Sequence, residues 1–549
     1  MPLRSRYPDF PFVSAPVHQF VLSQVDQHDA NRPALTDSST GRSIKFGEIK
    51  PLTYKLAAAL RQHGVKKGDV VTVCLPNCVE YPILLMACYS NGASISTVNA
   101  NFTAGEFFDH FENAGSRFIF GNRSNVKTIV EAVQKLGTQV QKIFVLGEIP
   151  SSVASVNGPS MIPFEALLNQ LNQAPIGQSV DEPLNTKSDI AWLPSSSGTT
   201  GKPKCLMLSH FNVVGMIQVF GNDHFPQLRS SDHVIGQLPM YHMYGFTVMW
   251  LSLVKGASMI VMSKFEQKKF LELIQKFKVP ILYIVPPILV FLAKHPLVDQ
   301  FDLTSVHTLV VRSAPISKEL SEEAMKRHAN LKYLLQAFGM SEVGAAMMVP
   351  PSPPEQVRHG SCGVLMPNFQ AKIIDLETNK ELGPNESGEL YLKSETRMLG
   401  YLKNPKATAE AIDPNGGWLR TGDVAYYDKD GYFYIVDRLK EMIKVNAYQV
   451  APAELEGILL SHPDVQDAAV YGIAHPQSGE VPRAMVVKNA NSKLTVDELI
   501  RYVDGKVASY KRLRGGLEFV EAIIKSPSGK ILRRVLRENY KKSQINAKL

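Results

Sequence analysis

Segments typical of β-strands alternate with segments typical of α-helices through most of the first 430 residues. The strand-like "DVVTVCLPN" precedes the helix-like "CVEYPILLMACYSNGA", and "RFIFGN" precedes the helix-like "KTIVEAVQKLG" and then the strand-like "KIFVLG". The alternation returns after residue 230, where "VPILYIVPP" and "HTLVVRSAP" flank the helix-like "ILVFLAKHP". This order is typical of mostly parallel sheets with helices on their faces. The sequence therefore predicts an α/β fold.

The pattern changes twice towards the C-terminus. From about Phe369 the strand-like runs are shorter and more polar, and after "DRLKEMIKV" a short segment mixes helices and strands. A chain of 549 residues also exceeds the usual size of one core. We expect an N-terminal domain at 1–436 with a β-rich subdomain at about 369–436, a hinge at 437–440, and a small α+β C-terminal domain at 441–549.

A loop rich in hydroxyls and glycines follows the strand-like "DIAWLP". It reads "SSSGTTGKPK" over residues 195–204. Backbone N–H groups, hydroxyls and lysines in this order can surround a polyphosphate. Only two residues separate Gly198 from Gly201, and a proline follows Lys202, so the loop does not match a Walker loop. The candidate ATP-binding residues are Ser196, Ser197, Gly198, Thr199, Thr200, Gly201, Lys202 and Lys204.

This string resembles the signature of the adenylate-forming superfamily, which includes acyl-CoA synthetases, 4-coumarate:CoA ligases, beetle luciferases and nonribosomal adenylation domains. The later motifs most resemble the 4-coumarate:CoA ligase-like and luciferase-like branch. The resemblance implies that the protein uses ATP and coenzyme A as co-substrates and Mg²⁺ as a cofactor. In "QAFGMSE" it implies that Phe338 lies against adenine, that Ser341 contacts phosphate and that Glu342 helps to hold Mg²⁺. Gly339 in the same motif is a further candidate ATP-binding residue.

Two further motifs extend the resemblance. In "LPMYHMYG", His242 matches a histidine that closes the acyl pocket beside the phosphates. In the long run from residue 418 to residue 456, Asp423 matches the aspartate that binds the ribose hydroxyls, and Arg438 matches an arginine that reaches the nucleotide.

The C-terminal motif "KSPSGKILRR" supplies the predicted catalytic lysine, Lys530, which the resemblance places between the reacting carboxylate and the α-phosphate. The resemblance also implies a mobile C-terminal domain that rotates about Lys440 or its neighbours. Lys444 and Gln449 then match residues on the face that forms the thioester. Ala447 stands where the family has a glycine beside the pantetheine path.

The identity of the acid substrate is the least specific of the predictions from the sequence. In the family a run close to Ser-Gly-Ala-Ala-Pro lines the acyl pocket, whereas residues 311–315 here read "VRSAP". We expect a pocket whose apolar bulk suits a fatty chain or an arylpropenoate. Its predicted lining is His242, Met243, Tyr244, Phe246, Arg312, Ser313, Ala314 and Gly344.

The net charge of +8 is concentrated at the end of the chain, where residues 501–549 hold 13 Lys and Arg against four Asp and Glu. We interpret this basic segment as attracting ATP and the phosphates of CoA, and we expect no nucleic-acid partner.

Five cysteines in so long a chain favour free thiols. We expect no transmembrane segment and no signal peptide. Ala547-Lys548-Leu549 resembles a peroxisomal address, which predicts an import receptor as partner and the peroxisomal matrix as location.

The sequence thus predicts an ATP-dependent acid:CoA ligase that forms an acyl-adenylate and releases pyrophosphate, then forms an acyl-CoA and releases AMP. Three alternatives stay open. They are a luciferase-like oxygenase, an adenylating enzyme with another acceptor such as a carrier protein, and a catalytically silent nucleotide-binding protein. The oligomeric state is not predicted.

Overall fold

The computed structural model describes most of the chain. The described residues are 2–137, 139–154, 158–170, 181–195, 204–224, 227–314, 316, 318–351, 356–446, 448–489, 492–526 and 529–546. None of the helices within these ranges combines the length and the apolar character needed to cross a bilayer.

The strands are numbered in chain order. They are β1 (Leu3–Arg4), β2 (Pro33–Asp37), β3 (Ser43–Lys45), β4 (Val70–Val73), β5 (Ser94–Thr97), β6 (Phe118–Asn122), β7 (Lys142–Leu146), β8 (Ser160–Pro163), β9 (Ile190–Pro194), β10 (Leu206–Ser209), β11 (His233–Gly236), β12 (Ser258–Val261), β13 (Ile281–Ile284), β14 (Thr308–Val311), β15 (Tyr333–Gln336), β16 (Phe338–Met340), β17 (Ala345–Val349), β18 (Val364–Leu365), β19 (Gln370–Ile374), β20 (Gly388–Lys393), β21 (Gly400–Tyr401), β22 (Leu419–Tyr427), β23 (Phe433–Arg438), β24 (Ile443–Val445), β25 (Tyr448–Val450), β26 (Val465–His475), β27 (Gly479–Lys488) and β28 (Leu517–Phe519).

The helices are numbered in the same way. They are α1 (Val17–Val25), α2 (Phe46–Gln62), α3 (Tyr81–Ser90), α4 (Ala104–Ala114), α5 (Val126–Val133), α6 (Ser151–Ala154), α7 (Phe164–Gln170), α8 (His210–Phe220), α9 (Met243–Lys255), α10 (Gln267–Phe277), α11 (Pro286–Lys294), α12 (Lys318–Arg327), α13 (Pro405–Ala411), α14 (Pro452–Leu460), α15 (Val496–Asp504) and α16 (Arg533–Asn546).

Parallel strands dominate the sheets of the N-terminal part. The eight-stranded sheet has the order β21-β10-β9-β5-β4-β6-β7-β8, and its strands from β9 to β8 are parallel. Strands β11, β12 and β2 form a second parallel group, and β13, β14 and β15 form a third. Strand β5 is buried along its whole length, as expected for a parallel strand covered on both faces. The predicted α/β fold is confirmed.

The β-rich region contains a strand that the sequence did not predict. Its antiparallel sheet has the order β1-β19-β20-β22-β23, so the N-terminal residues Leu3 and Arg4 pair with Ala371 and Gln370. A two-residue strand has no periodicity, which is why the sequence pattern did not show it. Strand β23 ends at Arg438 and so includes the first two residues of the predicted hinge.

A separate five-stranded sheet holds the C-terminal part together. Its order is β25-β24-β27-β26, with β28 parallel to β27, and its own buried cluster includes Ile443, Leu455 and Val486. This part contacts the N-terminal part, since the Lys294 Nζ donates to the Leu460 carbonyl oxygen at 2.9 Å. The domain boundaries themselves stay predictions.

Candidate active site

Three parallel strands end at one edge and position several predicted residues. Ile284 pairs with Val311, and Val311 pairs with Gln336, so β13, β14 and β15 finish in register. The residues that follow them, Arg312 and Phe338 among them, therefore lie along this edge. Carboxyl ends of parallel strands are where α/β proteins bind their ligands.

His242 lies at the start of α9, where it is the residue before the first helical turn. Its Nδ1 accepts a hydrogen bond from the Tyr244 backbone N–H at 3.4 Å. Burial and, to a smaller extent, the nearby positive charges of Lys530 and Arg312 together lower its pKa to about 3. The imidazole is therefore neutral at physiological pH, and because Nδ1 accepts a hydrogen bond the proton lies on Nε2, which can donate one.

Asp423 and Arg438 face each other across the antiparallel pair β22–β23. The Arg438 Nε lies 3.1 Å from the Asp423 Oδ1, and Asp423 is 3% exposed. The other carboxylate oxygen, Oδ2, is buried and has no hydrogen-bond partner among the described residues. Burial raises the pKa of Asp423 to about 6, although Arg438 and Lys530 oppose the rise. A buried acceptor left without a donor is costly, which indicates a place for a ligand's hydroxyl group.

Lys530 reaches this cluster from the C-terminal part. Its backbone N–H is held by the Ser526 side chain, and Ser526 in turn donates its backbone N–H to the Lys530 carbonyl oxygen at 2.8 Å. Burial and the charge of Arg438 lower the pKa of Lys530, and the carboxylates of Glu342 and Asp423 oppose this, with a net pKa of about 8. The lysine therefore stands among two carboxylates and one guanidinium.

Gly529 makes this approach possible. Its φ is +82°, a left-handed conformation that side chains other than glycine rarely adopt. A Cβ atom there would lie 3.4 Å from the Pro287 side chain and 3.6 Å from that of Val285. Gly529, the residue before Lys530, thus packs directly on Val285 and the first turn of α11.

Glu342 is held by Tyr401, which no sequence motif had indicated. The Tyr401 hydroxyl donates to Glu342 Oε1 at 3.2 Å, and the Lys204 Nζ lies 5.0 Å from the centre of the Tyr401 ring. The described residues contain no group of three or more metal-ligating side chains. One carboxylate nevertheless fits Mg²⁺, which is commonly held by one or two carboxylates together with substrate phosphates.

A cavity of about 500 Å³ opens beside these groups. Its walls come from both parts of the chain, since His242, Tyr244 and Ser313 line it together with Ser526 and Gly529. A neutral histidine, an apolar recess and the segment that carries the half-buried Lys530 therefore lie together at this cavity.

Comparisons with known proteins show which family the chain belongs to. Residues 22–402 match the family model described as AMP-binding enzyme, and residues 454–530 match the AMP-binding enzyme C-terminal domain. The chain belongs to the AMP-binding enzyme family. It is 38% identical over 538 residues to "Probable 4-coumarate--CoA ligase 1" of Dictyostelium discoideum, with 97% of each chain covered. It is 37% identical over 541 residues to "4-coumarate--CoA ligase" of Pinus taeda, again with 97% of each covered.

The overall fold is also that of solved members of the family. The crystal structure of the anthranilate CoA ligase AuaEII in complex with anthranoyl-AMP superposes with a TM-score of 0.86 at 24% identity, covering 98% of this chain and 99% of that one. The chain is therefore an AMP-forming acid:CoA ligase that uses ATP, Mg²⁺ and CoA. This confirms the predicted activity and the predicted large N-terminal and small C-terminal domains.

Several predicted site residues of this AMP-binding enzyme lie elsewhere. Phe246 is fully buried and stacks on Trp192 with ring centres 3.7 Å apart, and Met243 lies in the same core. Neither Met243 nor Phe246 lines the cavity. Gly344 has a φ of +72° and lies against the Thr396 carbonyl, also outside the cavity lining. Ala314 directly follows the cavity residue Ser313.

The residues predicted for CoA lie apart from the cavity. Lys444 and Gln449 are exposed and pair with each other across β24–β25, and Lys440 is exposed in the turn before β24. Phe338 and Gly339 lie on β16, and Ser341 begins the short turn that carries Glu342. Some predicted residues lie outside the described part of the chain, namely Ala447 and, in the phosphate loop, Ser196, Ser197, Gly198, Thr199, Thr200, Gly201 and Lys202.

A buried histidine that sequence reasoning missed fixes the start of the phosphate loop. The His110 Nδ1 lies 3.0 Å from Ser195 Oγ, and its Nε2 lies 2.7 Å from Ser96 Oγ. Burial lowers the pKa of His110 to about 4, so it is neutral. The only sequence signal is a polar residue on the apolar face of α4, which more often marks a satisfied core histidine.

Proposed function

We propose that this ligase activates a medium- or long-chain fatty acid or an arylpropenoic acid. The cavity supports this, because Val285, Ile288 and Phe291 give it apolar walls and its volume suits a medium-sized organic acid. The Dictyostelium and pine relatives are named for 4-coumarate, an arylpropenoic acid. Both observations favour an acid with a hydrophobic body.

Lys530 is proposed as the catalytic residue of the first half-reaction. There the substrate carboxylate attacks the α-phosphate of ATP, and pyrophosphate leaves. A lysine positioned at the attacking and leaving charges supports such a transfer by electrostatic stabilisation. The observation that carries this role is its position, because a half-buried lysine of the C-terminal part lies within electrostatic reach of Asp423, Arg438 and Glu342.

The other groups are proposed to position the two substrates. The free Oδ2 of Asp423 would accept hydrogen bonds from ribose hydroxyls, while Arg438 holds the carboxylate in place. Glu342, steadied by Tyr401, would hold Mg²⁺ together with the phosphates, and the metal would neutralise phosphate charge. The neutral His242, which lines the cavity, would lie beside the reacting carboxylate without adding charge.

The second half-reaction is proposed to use a different face of the C-terminal part. This is supported by the position of Lys530, whose charge acts on Asp423, Glu342 and Arg438, whereas Lys444 and Gln449 are exposed. A rotation about Lys440 would withdraw Lys530 and bring Lys444, Ala447 and Gln449 to the adenylate, where the CoA thiol attacks and AMP leaves. The basic segment at 501–549 would attract the phosphates of CoA.

The peroxisomal matrix is proposed as the location, on the strength of Ala547-Lys548-Leu549 alone. These residues lie outside the described part of the chain. A fluorescent protein fused to the N-terminus leaves the address free, and we expect it to colocalise with a peroxisomal marker. Deletion of the three residues should disperse it, and unchanged colocalisation after deletion would show that these residues do not direct import.

The substrate proposal is tested by CoA-dependent AMP release over a panel of acids. The panel runs from hexanoic to octadecanoic acid and adds cinnamic acid and its hydroxylated derivatives. We expect release with at least one of these groups and none without CoA or acid. The matched variants are Lys530→Ala and Lys541→Ala, the latter an exposed lysine of the same part. Release with no acid of the panel would contradict the proposed substrate class.

A further inference from the structure

Arg312 is buried in an aromatic sandwich at the carboxyl end of β14. The residue is 7% exposed, and its guanidinium carbon lies 4.7 Å from the ring centre of Phe220 and 5.0 Å from that of Tyr244. Phe220 ends α8 and Tyr244 lies in the first turn of α9. The two rings therefore hold the guanidinium plane between two helices, a position that fixes the group well.

The buried charge has no polar partner. Within the described ranges, no carboxylate pairs with Arg312, and its side chain donates no hydrogen bond. Burial lowers its pKa only to about 10, so it remains charged at physiological pH. None of its guanidinium nitrogens is both fully buried and unpaired. These N–H donors therefore remain within reach of water or of a ligand's oxygen atoms.

This guanidinium lies beside the acid cavity. Tyr244, whose ring carries it, lines the cavity, and so does Ser313, the next residue in the chain. Ser313 has a φ of +85°, a conformation uncommon for a residue with a side chain. The chain therefore turns sharply directly after Arg312. The charge of Arg312 also acts on His242, which lines the cavity.

The ring contacts also limit what Arg312 can do. The Tyr244 hydroxyl donates to the Val310 carbonyl oxygen at 2.8 Å, so its proton is already used within the protein. An aromatic sandwich favours a cation through its faces but cannot satisfy N–H groups at the guanidinium edge. What is missing at this position is an oxygen acceptor.

We propose that Arg312 is a specificity-determining residue that binds a second carboxylate, carried by the acid at the end remote from the carboxylate that is activated. A guanidinium matches a carboxylate with two parallel hydrogen bonds, which a hydroxyl or an ether cannot form. The substrate class is then a dicarboxylic acid, with either an aliphatic chain or an aromatic ring between the two groups. This inference rests on the proposed function, because it concerns the distal end of the same acid.

Matched acids test the proposal on the wild-type enzyme. Each α,ω-dicarboxylic acid from butanedioic to dodecanedioic acid is compared with the monocarboxylic acid of equal carbon number, and 4-carboxycinnamic acid is compared with 4-methylcinnamic acid. The measurement is kcat/KM for CoA-dependent AMP release. We expect at least one dicarboxylic acid to exceed its partner by about 100-fold or more, because a site built for a polar group rejects the analogue that lacks it.

Substitution of Arg312 identifies the group responsible. Arg312→Met keeps a long side chain and removes the charge, and it should reverse the preference in favour of the monocarboxylic acid. Arg312→Lys keeps the charge without the paired donors and should retain a reduced preference. Lys318→Met, at an exposed lysine that begins α12, makes the same kind of change away from the cavity. This matched control should leave the preference unchanged.

Three results would overturn the inference. One is a wild-type preference below about twofold in every pair. Another is a preference that Arg312→Met leaves unchanged. The third is a gain of activity in Arg312→Met for longer monocarboxylic acids alone, which would make Arg312 a filler that shortens the pocket. Activity with monocarboxylic acids only would remove this inference and leave the proposed function intact, whereas activity with no acid would remove both.

Discussion

Two buried charge clusters in this enzyme are built in opposite ways. In the C-terminal part, Arg533 reaches both oxygens of Glu456 at 2.8 and 2.7 Å and donates its Nε to the Val470 carbonyl at 3.0 Å. Glu456 also accepts from the Val470 backbone N–H at 2.8 Å. These groups are saturated by the protein itself.

The cluster at the cavity is unsaturated. Asp423 has one contact to Arg438 at 3.1 Å and one oxygen without a partner among the described residues. None of the described carboxylates lies within ion-pairing distance of Lys530. Buried ion pairs contribute to a fold only when their hydrogen bonds are complete. The first cluster is therefore expected to serve folding, and the second is proposed to become complete when the substrates bind.

Replacement of Lys530 tests this difference most strongly. Lys530→Ala should lower ATP–pyrophosphate exchange by about 1,000-fold, equivalent to about 4 kcal/mol of transition-state stabilisation. Its free energy of unfolding should stay equal to or slightly above that of the wild type, because a half-buried charge without a carboxylate in ion-pairing distance is removed. Urea denaturation and the exchange assay measure the two quantities, and a large loss of stability without loss of exchange would reverse the assignment.

Replacement of Arg533 should give the opposite result. Arg533→Met leaves the Glu456 carboxylate buried and unpaired, which should lower the free energy of unfolding by about 3 kcal/mol. Exchange by the fraction that remains folded should change much less than in Lys530→Ala. The double variant Glu456→Leu/Arg533→Met should recover part of the lost stability. No loss of stability in the single variant would show that this pair is dispensable.

The pH dependence reports on the unsaturated cluster. The kcat/KM for ATP should rise as Asp423 ionises near pH 6 and fall as Lys530 loses its proton near pH 8, about tenfold per unit on either side. Because the folded pKa of Asp423 lies above its unfolded value, its protonation stabilises the fold at low pH, and this stability is lost as the pH rises from about 4 to 6. Asp423→Asn should flatten the acidic limb and raise stability at pH 7 by about 2 kcal/mol. An acidic limb that survives in Asp423→Asn belongs to another group.

The His110 contact should give the smallest effect. His110→Ala removes the link between Ser96 and Ser195, and we expect the KM for ATP to rise about fivefold with kcat nearly unchanged, because the phosphate loop loses a support but keeps its donors. His110→Gln, which can still bond both hydroxyls, should recover most of the affinity. An equal fall in kcat for both variants would mean that the core is disturbed instead.

The sequence predicted those parts of the site that belong to short, local sequence motifs. The α/β order and the strand before the phosphate loop follow from local patterns, and His242, Glu342, Asp423, Arg438 and Lys530 all belong to short motifs. What the sequence did not predict depends on long-range contacts. Tyr401 lies 59 residues from Glu342 in the chain, and β1, at the start of the chain, pairs with β19 near residue 370. Phe246 was assigned to the pocket because a motif gives proximity in sequence but not the direction of a side chain on a helix.

The most direct measurement separates the two half-reactions. Synthetic acyl-adenylate is mixed with CoA and with wild type, Lys530→Ala or Lys444→Ala, and acyl-CoA formation is followed in a single turnover. We expect Lys530→Ala to transfer the acyl group at close to the wild-type rate although it cannot make the adenylate, and Lys444→Ala to be impaired in transfer. Equal loss of both half-reactions in Lys530→Ala would contradict the role of Lys530 in adenylate formation alone.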